Sequence, residues 1–134
     1  MVEIKGVAHF SIPVSDIAKS TKFYTEIVGM KYLSAPPHGN MVFLDAGGVC
    51  IILVKRDAPI NHRAEDHDGV HHSFMVDSDK YQSALDHLRA NGVDVPFQED
   101  RDGGVVNGPR AYFRDPDGTM LEYIDRTSYV TSKP

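Results

Sequence analysis

The 134-residue sequence has no tryptophan and a single cysteine, Cys50. One thiol cannot close an internal disulfide, which points to a reducing, cytoplasmic setting. Cys50 itself reads as a small buried hydrophobe on a strand. No apolar run approaches the roughly 20 residues of a membrane span. The longest, VCIILV at 49–54, is the length of a strand, so no membrane partner is expected. The N-terminal MVEIKGV also lacks the charged-then-apolar order of a signal peptide. Nor is there a surplus of positive charge: 14 Lys and Arg stand against 19 Asp and Glu, for a net charge of −5. Without a basic stripe to displace counterions, nucleic acid is excluded as a partner. What is left is an ordinary globular composition, 41% hydrophobic and 25% charged, in a chain long enough for one domain.

The informative feature is a repeat. Residues 7–29, VAHFSIPVSDIAKSTKFYTEIVG, and residues 70–92, VHHSFMVDSDKYQSALDHLRANG, share an order: a histidine on an alternating stretch, an amphipathic helix, then glycine. In the first copy Val7, His9, Ser11 and Pro13 face one way and Ala8, Phe10, Ile12 and Val14 the other, which is a strand with one apolar face. Asp16 is placed to cap a helix whose Ile17, Tyr24, Ile27 and Val28 share a face, and Gly29 supplies its left-handed stop. Segments 41–45 and 49–54 then form a hairpin turned through DAGG. The second copy gives strand 70–76, a helix with Tyr81, Ala84, Leu85 and Leu88 at helical spacing, and Gly92 as its end. Strands 111–114 and 119–124 follow, joined by Asp115-Pro116-Asp117-Gly118, which favours a tight turn with a bulge. MVFLDAGGVCIIL at 41–53 overlays AYFRDPDGTMLEY at 111–123 without a gap.

Both copies are βαβββ if a short strand precedes each hairpin, near Lys31–Ser34 and near Val93–Phe97. The expected organisation is therefore a single domain, 1–134, of two modules (about 5–55 and 69–126) joined by a polar bridge, 56–68. The tail beyond Asp125 carries no readable signal. If the halves pair about a pseudo-twofold axis, His9, His71 and Glu122 meet on one floor. Two imidazoles and a carboxylate are the makings of a metal site with open positions.

This arrangement resembles the vicinal oxygen chelate superfamily, which includes glyoxalase I, extradiol ring-cleaving dioxygenases, fosfomycin-resistance thiol transferases and bleomycin-binding proteins. The likeness runs from about Gly6 to Arg126. It rests on His9 before a strand-Asp-helix-FYT-G passage and on DPDG followed by an acid four residues later. It implies an α+β fold in which two βαβββ modules form a cup-shaped, barrel-like mixed sheet with helices outside. It also implies ligands on the first and last strands of each module, carried here by His9, His71 and Glu122. The fourth position falls on Ile52, which cannot bind a metal, so the chain departs from glyoxalase I and methylmalonyl-CoA epimerase. Three ligands match the dioxygenases and fosfomycin transferases.

Several residues carry alternatives. His72 follows His71 directly, but His71, Ser73 and Met75 share the face opposite Phe74 and Val76, which favours His71 as ligand. Glu122, between Leu121 and Tyr123, is costly to bury unless it meets a cation or a partner such as Arg110. Tyr112 falls at a cavity-facing position by the repeat, and its hydroxyl suits a substrate oxygen; a core tyrosine is the competing reading. Ser11, Ser73 and Arg110 are candidate substrate contacts, Arg110 for an anionic group. His62 and His67 in the bridge read as solvated residues, with an acid/base role over the cup as the alternative.

Two histidines and a carboxylate suit Fe(II) first, then Mn(II), Zn(II) or Ni(II). The expectation is a metal-dependent enzyme that binds a small molecule through adjacent oxygens, leaning to a ring-cleaving dioxygenase reaction. A fosfomycin-type thiol transferase or a glyoxalase-like lyase or isomerase is the alternative on the same site, and a metal-free binding protein of the bleomycin-resistance type is the third. The dioxygenase pattern asks for a histidine within GGVVNGPRAY, which has none, and the serine-rich loop of the transferases is also missing. The likeness further implies a homodimer.

Overall fold

The computed structural model describes residues 1–57 and 70–129. The chain divides into two compact units, Met1–Asn61 and His62–Pro134. Each folds as βαβββ around its own mixed sheet, so the two-module plan holds. His62 and His67, weighed above as acid/base groups, lie outside the described residues.

In the first unit β1 (His9–Val14), α1 (Ile17–Lys22), β2 (Lys31–Ser34), β3 (Met41–Ala46) and β4 (Val49–Lys55) form a sheet of order β1-β4-β3-β2. β1 runs parallel to β4 while the other pairs are antiparallel, because a helix separates β1 from the hairpin strands. Ile12 and Val14 of β1 are fully buried, with Leu44, Ile51 and Leu53. Asp16 caps α1 as expected, its carboxylate accepting the Lys19 N–H at 3.0 Å. The expected single helix changes winding midway: Phe23–Val28 is π-helical. There two neighbouring aromatics, Phe23 and Tyr24, are both buried, ring against ring edge-on at 5.3 Å. Gly29 closes the stretch at φ 99°.

In the second unit β5 (His71–Met75), α2 (Tyr81–Ala90), β6 (Phe97–Arg101), β7 (Val106–Arg114), β8 (Met120–Ile124) and a two-residue β9 (Ser128–Tyr129) follow. The order β5-β8-β7-β6 repeats that of the first unit, again with its first strand parallel to its last hairpin strand. Leu85 and Leu88 bury one stripe of α2, and Phe113 and Tyr123 stack within the core at 4.8 Å.

Four expectations need correction. The strand placed near Val93–Phe97 is Phe97–Arg101: Pro96 has no N–H to give a ladder, so pairing starts after it. The strand read as 111–114 begins at Val106, because Gly108 and Pro109 stay in unbroken register with Arg101 and Asp100 of β6 rather than ending it. Asp125 N–H donates to the Pro109 carbonyl and Thr127 N–H to that of Asn107, leaving Gly108 between them at φ 118°. A Cβ there would sit 2.1 Å from the Asp125 carbonyl oxygen, so only glycine fits. The tail contributes β9, paired with Val106 and Asn107.

Finally, the ungapped overlay of the two hairpins fails by one residue. Gly47 and Gly48, both at positive φ, make a two-residue turn between Ala46 and Val49. In the second unit Asp115–Thr119 bridges Arg114 and Met120, and the Asp115 carboxylate accepts N–H bonds from Asp117 at 2.9 Å and Thr119 at 2.8 Å. The longer turn shifts β7 by one register, so Tyr112 corresponds to Phe43, not to Val42.

Candidate functional site

Register decides which side chains share a face, since residues paired across a sheet point the same way. In the second unit Ser73, Glu122, Tyr112 and Phe97 form one row across four strands. His71 and Met75 lie two residues either side of Ser73 on the same face, and Arg110 lies two residues before Tyr112. His72 pairs with Leu121 on the other face. His71, Ser73, Arg110, Tyr112 and Glu122 thus share one surface of one sheet. Ser73 is exposed at its edge.

Glu122 is the centre of this surface and is 3% exposed. Its two oxygens have different neighbours. Oε1 lies 3.9 Å from the His71 Nε2, and Oε2 lies 3.6 Å from the Arg110 Nη1. Both gaps exceed hydrogen-bond range. The buried Oε2 makes no hydrogen bond among the described residues. The Arg110 guanidinium is itself buried and held by its own strand: Nη2 donates to the Val106 carbonyl at 2.6 Å and Nε to that of Gly108 at 3.4 Å. Its Nε also stands 3.9 Å from Glu99 Oε1, and Glu99 pairs with Arg101 at the sheet edge. Charges therefore alternate across the face: Arg101, Glu99, Arg110, Glu122.

The Tyr112 ring lies between those of His71 and Phe97, 5.6 Å from each. Burial, then hydrogen bonding to Glu122 and its negative charge, push the Tyr112 hydroxyl up to about 12, with Arg110 pulling the other way. Tyr112 is therefore a neutral O–H at physiological pH. Burial likewise raises Tyr123, with no charged group contributing, and raises Tyr81, helped by Asp125 and Glu122.

The first unit places His9 and Ser11 on one face of β1, with Cys50 and Ile52 beside them on β4. Both are exposed on that strand. Within each unit, among the described residues, no three His, Cys, Asp or Glu side chains are gathered as a ready metal site. The expected ligand set takes one member from the first unit and two from the second. The two in the second unit fit a divalent metal. Two donor atoms about 2.1 Å from one cation stand roughly 3 to 3.5 Å apart at ordinary angles, close to the 3.9 Å between His71 and Glu122. Oε1, on the His71 side, is the oxygen placed for such a cation, while Oε2, buried without a hydrogen bond, faces the Arg110 guanidinium. The role of Glu99 as the outer partner of Arg110 was missed. The only signal for it was the alternation of charge in FQEDR, which reads equally as a solvated edge.

Two βαβββ modules in one chain, with a histidine on the first strand of each and an acid on the last strand of the second, are the plan of one protein superfamily. Residues 6–123 match the family model of the Glyoxalase/Bleomycin resistance protein/Dioxygenase superfamily, and the chain belongs to that superfamily. Within it the similar curated proteins are fosfomycin-resistance enzymes. A metallothiol transferase FosB of Staphylococcus haemolyticus is 29% identical over 131 residues, covering 94% of this chain and 91% of the relative. A glutathione transferase FosA of Serratia marcescens is 26% identical over 119 residues, covering 89% and 79%. Among solved structures, a point mutant of FosX from Listeria monocytogenes, complexed with Mn(II) and 1S,2S-dihydroxypropylphosphonic acid, superposes with a TM-score of 0.73. It is 21% identical, and the match covers 93% of each chain, so it speaks for the fold. These two curated relatives are named as a metallothiol transferase and a glutathione transferase, not as dioxygenases, so the comparisons favour the alternative above over the ring-cleaving lean. Among the described residues no helix is long and apolar enough to cross a membrane.

Proposed function

We propose that the protein is a metal-dependent transferase of the fosfomycin-resistance type, joining a thiol to a small electrophile that carries adjacent oxygens. The FosB and FosA relatives, which match nearly the whole chain, carry this reading. His9, His71 and Glu122 would hold the metal, with Mn(II) now ahead of Fe(II) and then Zn(II) or Ni(II). The bound ion would act as a Lewis acid on the substrate oxygens. In the reaction a thiolate sulfur attacks a ring carbon of an epoxide. The carbon–oxygen bond breaks, and the oxygen takes a proton.

The chain's own groups suit this. Tyr112, kept protonated by burial and by its hydrogen bond to Glu122, would turn its one O–H from that carboxylate to meet a substrate oxygen. Arg110 supplies fixed positive charge near it, and Ser11 and Ser73 offer hydroxyls on the two histidine strands. The expected homodimer and cytoplasmic location belong to the same reading. Sedimentation at the mass of one chain would remove the dimer.

The test is direct. Mn(II)-loaded protein is incubated with fosfomycin and, in turn, cysteine, glutathione or bacillithiol, and phosphorus NMR follows the product. Thiol-dependent loss of the epoxide, abolished by Glu122→Gln, is expected. Oxygen uptake with catechols and no reaction with fosfomycin would overturn the proposal in favour of a dioxygenase.

A further inference from the structure

The two oxygens of Glu122 face different groups, an imidazole and a guanidinium, and this difference assigns a task to a residue outside the ligand set. Oε1 looks toward His71 and Oε2 toward Arg110. The guanidinium cannot drift, because Val106 and Gly108 carbonyls hold it from its own strand and Glu99 stands on its outer side. Val106 and Gly108 are themselves held by their surroundings: Val106 pairs with β9, and Gly108 pairs with β6 while lying so close to the Asp125 carbonyl that only glycine fits. The result is a rigid, buried cation aimed at one oxygen of a buried carboxylate. Such outer partners orient metal-binding side chains and tune their strength.

We propose that Arg110 is a positioning residue that occupies Glu122 Oε2 and so commits the carboxylate to bind its metal through Oε1 alone, beside His71. The inference rests on the metal-site reading above, and its test separates the two. A salt bridge of purely structural use would stabilise the fold without governing how the carboxylate meets a metal. Positioning makes the narrower claim that removing the guanidinium frees the second oxygen.

The probe is Mn(II) itself, added to metal-free protein and followed by calorimetry and by infrared difference spectroscopy of carboxylate stretches. Wild type should show the wide splitting of a carboxylate bound through one oxygen. Arg110→Met should narrow that splitting toward two-oxygen binding and weaken Mn(II) affinity by about 10- to 100-fold, the usual cost of losing an outer partner. Arg110→Lys, which keeps the charge but not the fork that grips two carbonyls, should fall between the two. Circular dichroism confirms that each variant is folded, and the Lys variant carries the test if Met does not fold.

Unchanged splitting and affinity in both variants overturn the positioning role. Glu122→Gln serves as the reference. If it binds Mn(II) as wild type does, the ligand assignment itself has failed. If it loses Mn(II) while both Arg110 variants behave as wild type, only the role given to Arg110 has failed.

Discussion

The two sheets carry the same row with opposite chemistry. In the first unit Ser11, Ile52, Phe43 and Ser34 stand abreast on the four strands, and in the second Ser73, Glu122, Tyr112 and Phe97 take those places. Both central positions are buried, Ile52 at 7% and Glu122 at 3% exposure. The backbone is therefore indifferent to whether that position is apolar or charged. What differs is the neighbourhood. Glu122 has a guanidinium and an imidazole within 4 Å, whereas Ile52 is flanked across the sheet by Phe43 and by Ser11. A duplicated fold can thus keep one half as packing while the other collects polar groups, provided that each buried charge arrives with its partner.

Exchanging the central residues breaks this comparison most sharply. Ile52→Glu buries a carboxylate between Ser11 and Phe43, with no basic side chain paired to it across its own sheet, and should cost on the order of 3–5 kcal/mol in urea unfolding of the metal-free protein. Glu122→Ile should cost a similar amount, because it strands Arg110, and the double variant Glu122→Ile/Arg110→Leu should recover most of it. A double variant as unstable as the single would mean that the charge pair is not the reason.

The hairpin aspartates sharpen the same contrast at smaller scale. Asp115 is buried and accepts two backbone N–H bonds, while Asp45, the aspartate of the other hairpin, accepts one from Gly48 at 3.1 Å near the surface. Asp115→Ala should therefore cost about 2 kcal/mol and Asp45→Ala well under half of that, measured as a difference in unfolding midpoint. Equal losses would show that the two turns bear the same load.

Tyr112 against Phe43 gives the mildest effect and a pH signature. The Tyr112 hydroxyl is raised from 10 to about 12, so its stabilisation is complete below pH 10. Above that the unfolded chain releases the proton while the folded chain retains it, and stability falls as pH rises toward about 12. Tyr112→Phe should flatten part of this alkaline decline, with Tyr123 responsible for some of what remains. At neutral pH the change should be about 1 kcal/mol. An unaltered alkaline slope would disprove the assignment.

These contrasts also explain what could be read in the residues beforehand. The βαβββ plan was legible because strand alternation, the Asp16 cap and the closing glycines at 29 and 92 are local signals. The shared face of His71, Ser73 and Met75 follows from counting outward from Phe74 and Val76, whereas Glu122 is reached only through the repeat and the family resemblance. The start of β7 was hidden because glycine and proline ordinarily end a strand, and only the tertiary contact with residues 125–127 makes Gly108-Pro109 compatible with one. Register between the hairpins was hidden for a related reason. A turn's length sets the pairing, and DPDGT and DAGG look alike until hydrogen bonds to Asp115 are drawn. The division of Glu122 between an imidazole and a guanidinium is a matter of ångströms, which no spacing encodes.

Gly108 locks two parts of the second unit together. With the Asp125 carbonyl filling the place of a side chain, the strand bearing Arg110 is pinned to the chain leaving Glu122. Neither partner can slip a residue relative to the other, whatever happens at the exposed 102–105 tip between β6 and β7. That tip can be lengthened, shortened or reshaped for new ligands while the charged pair keeps its alignment. The fold thus has an adjustable rim around a fixed anchor.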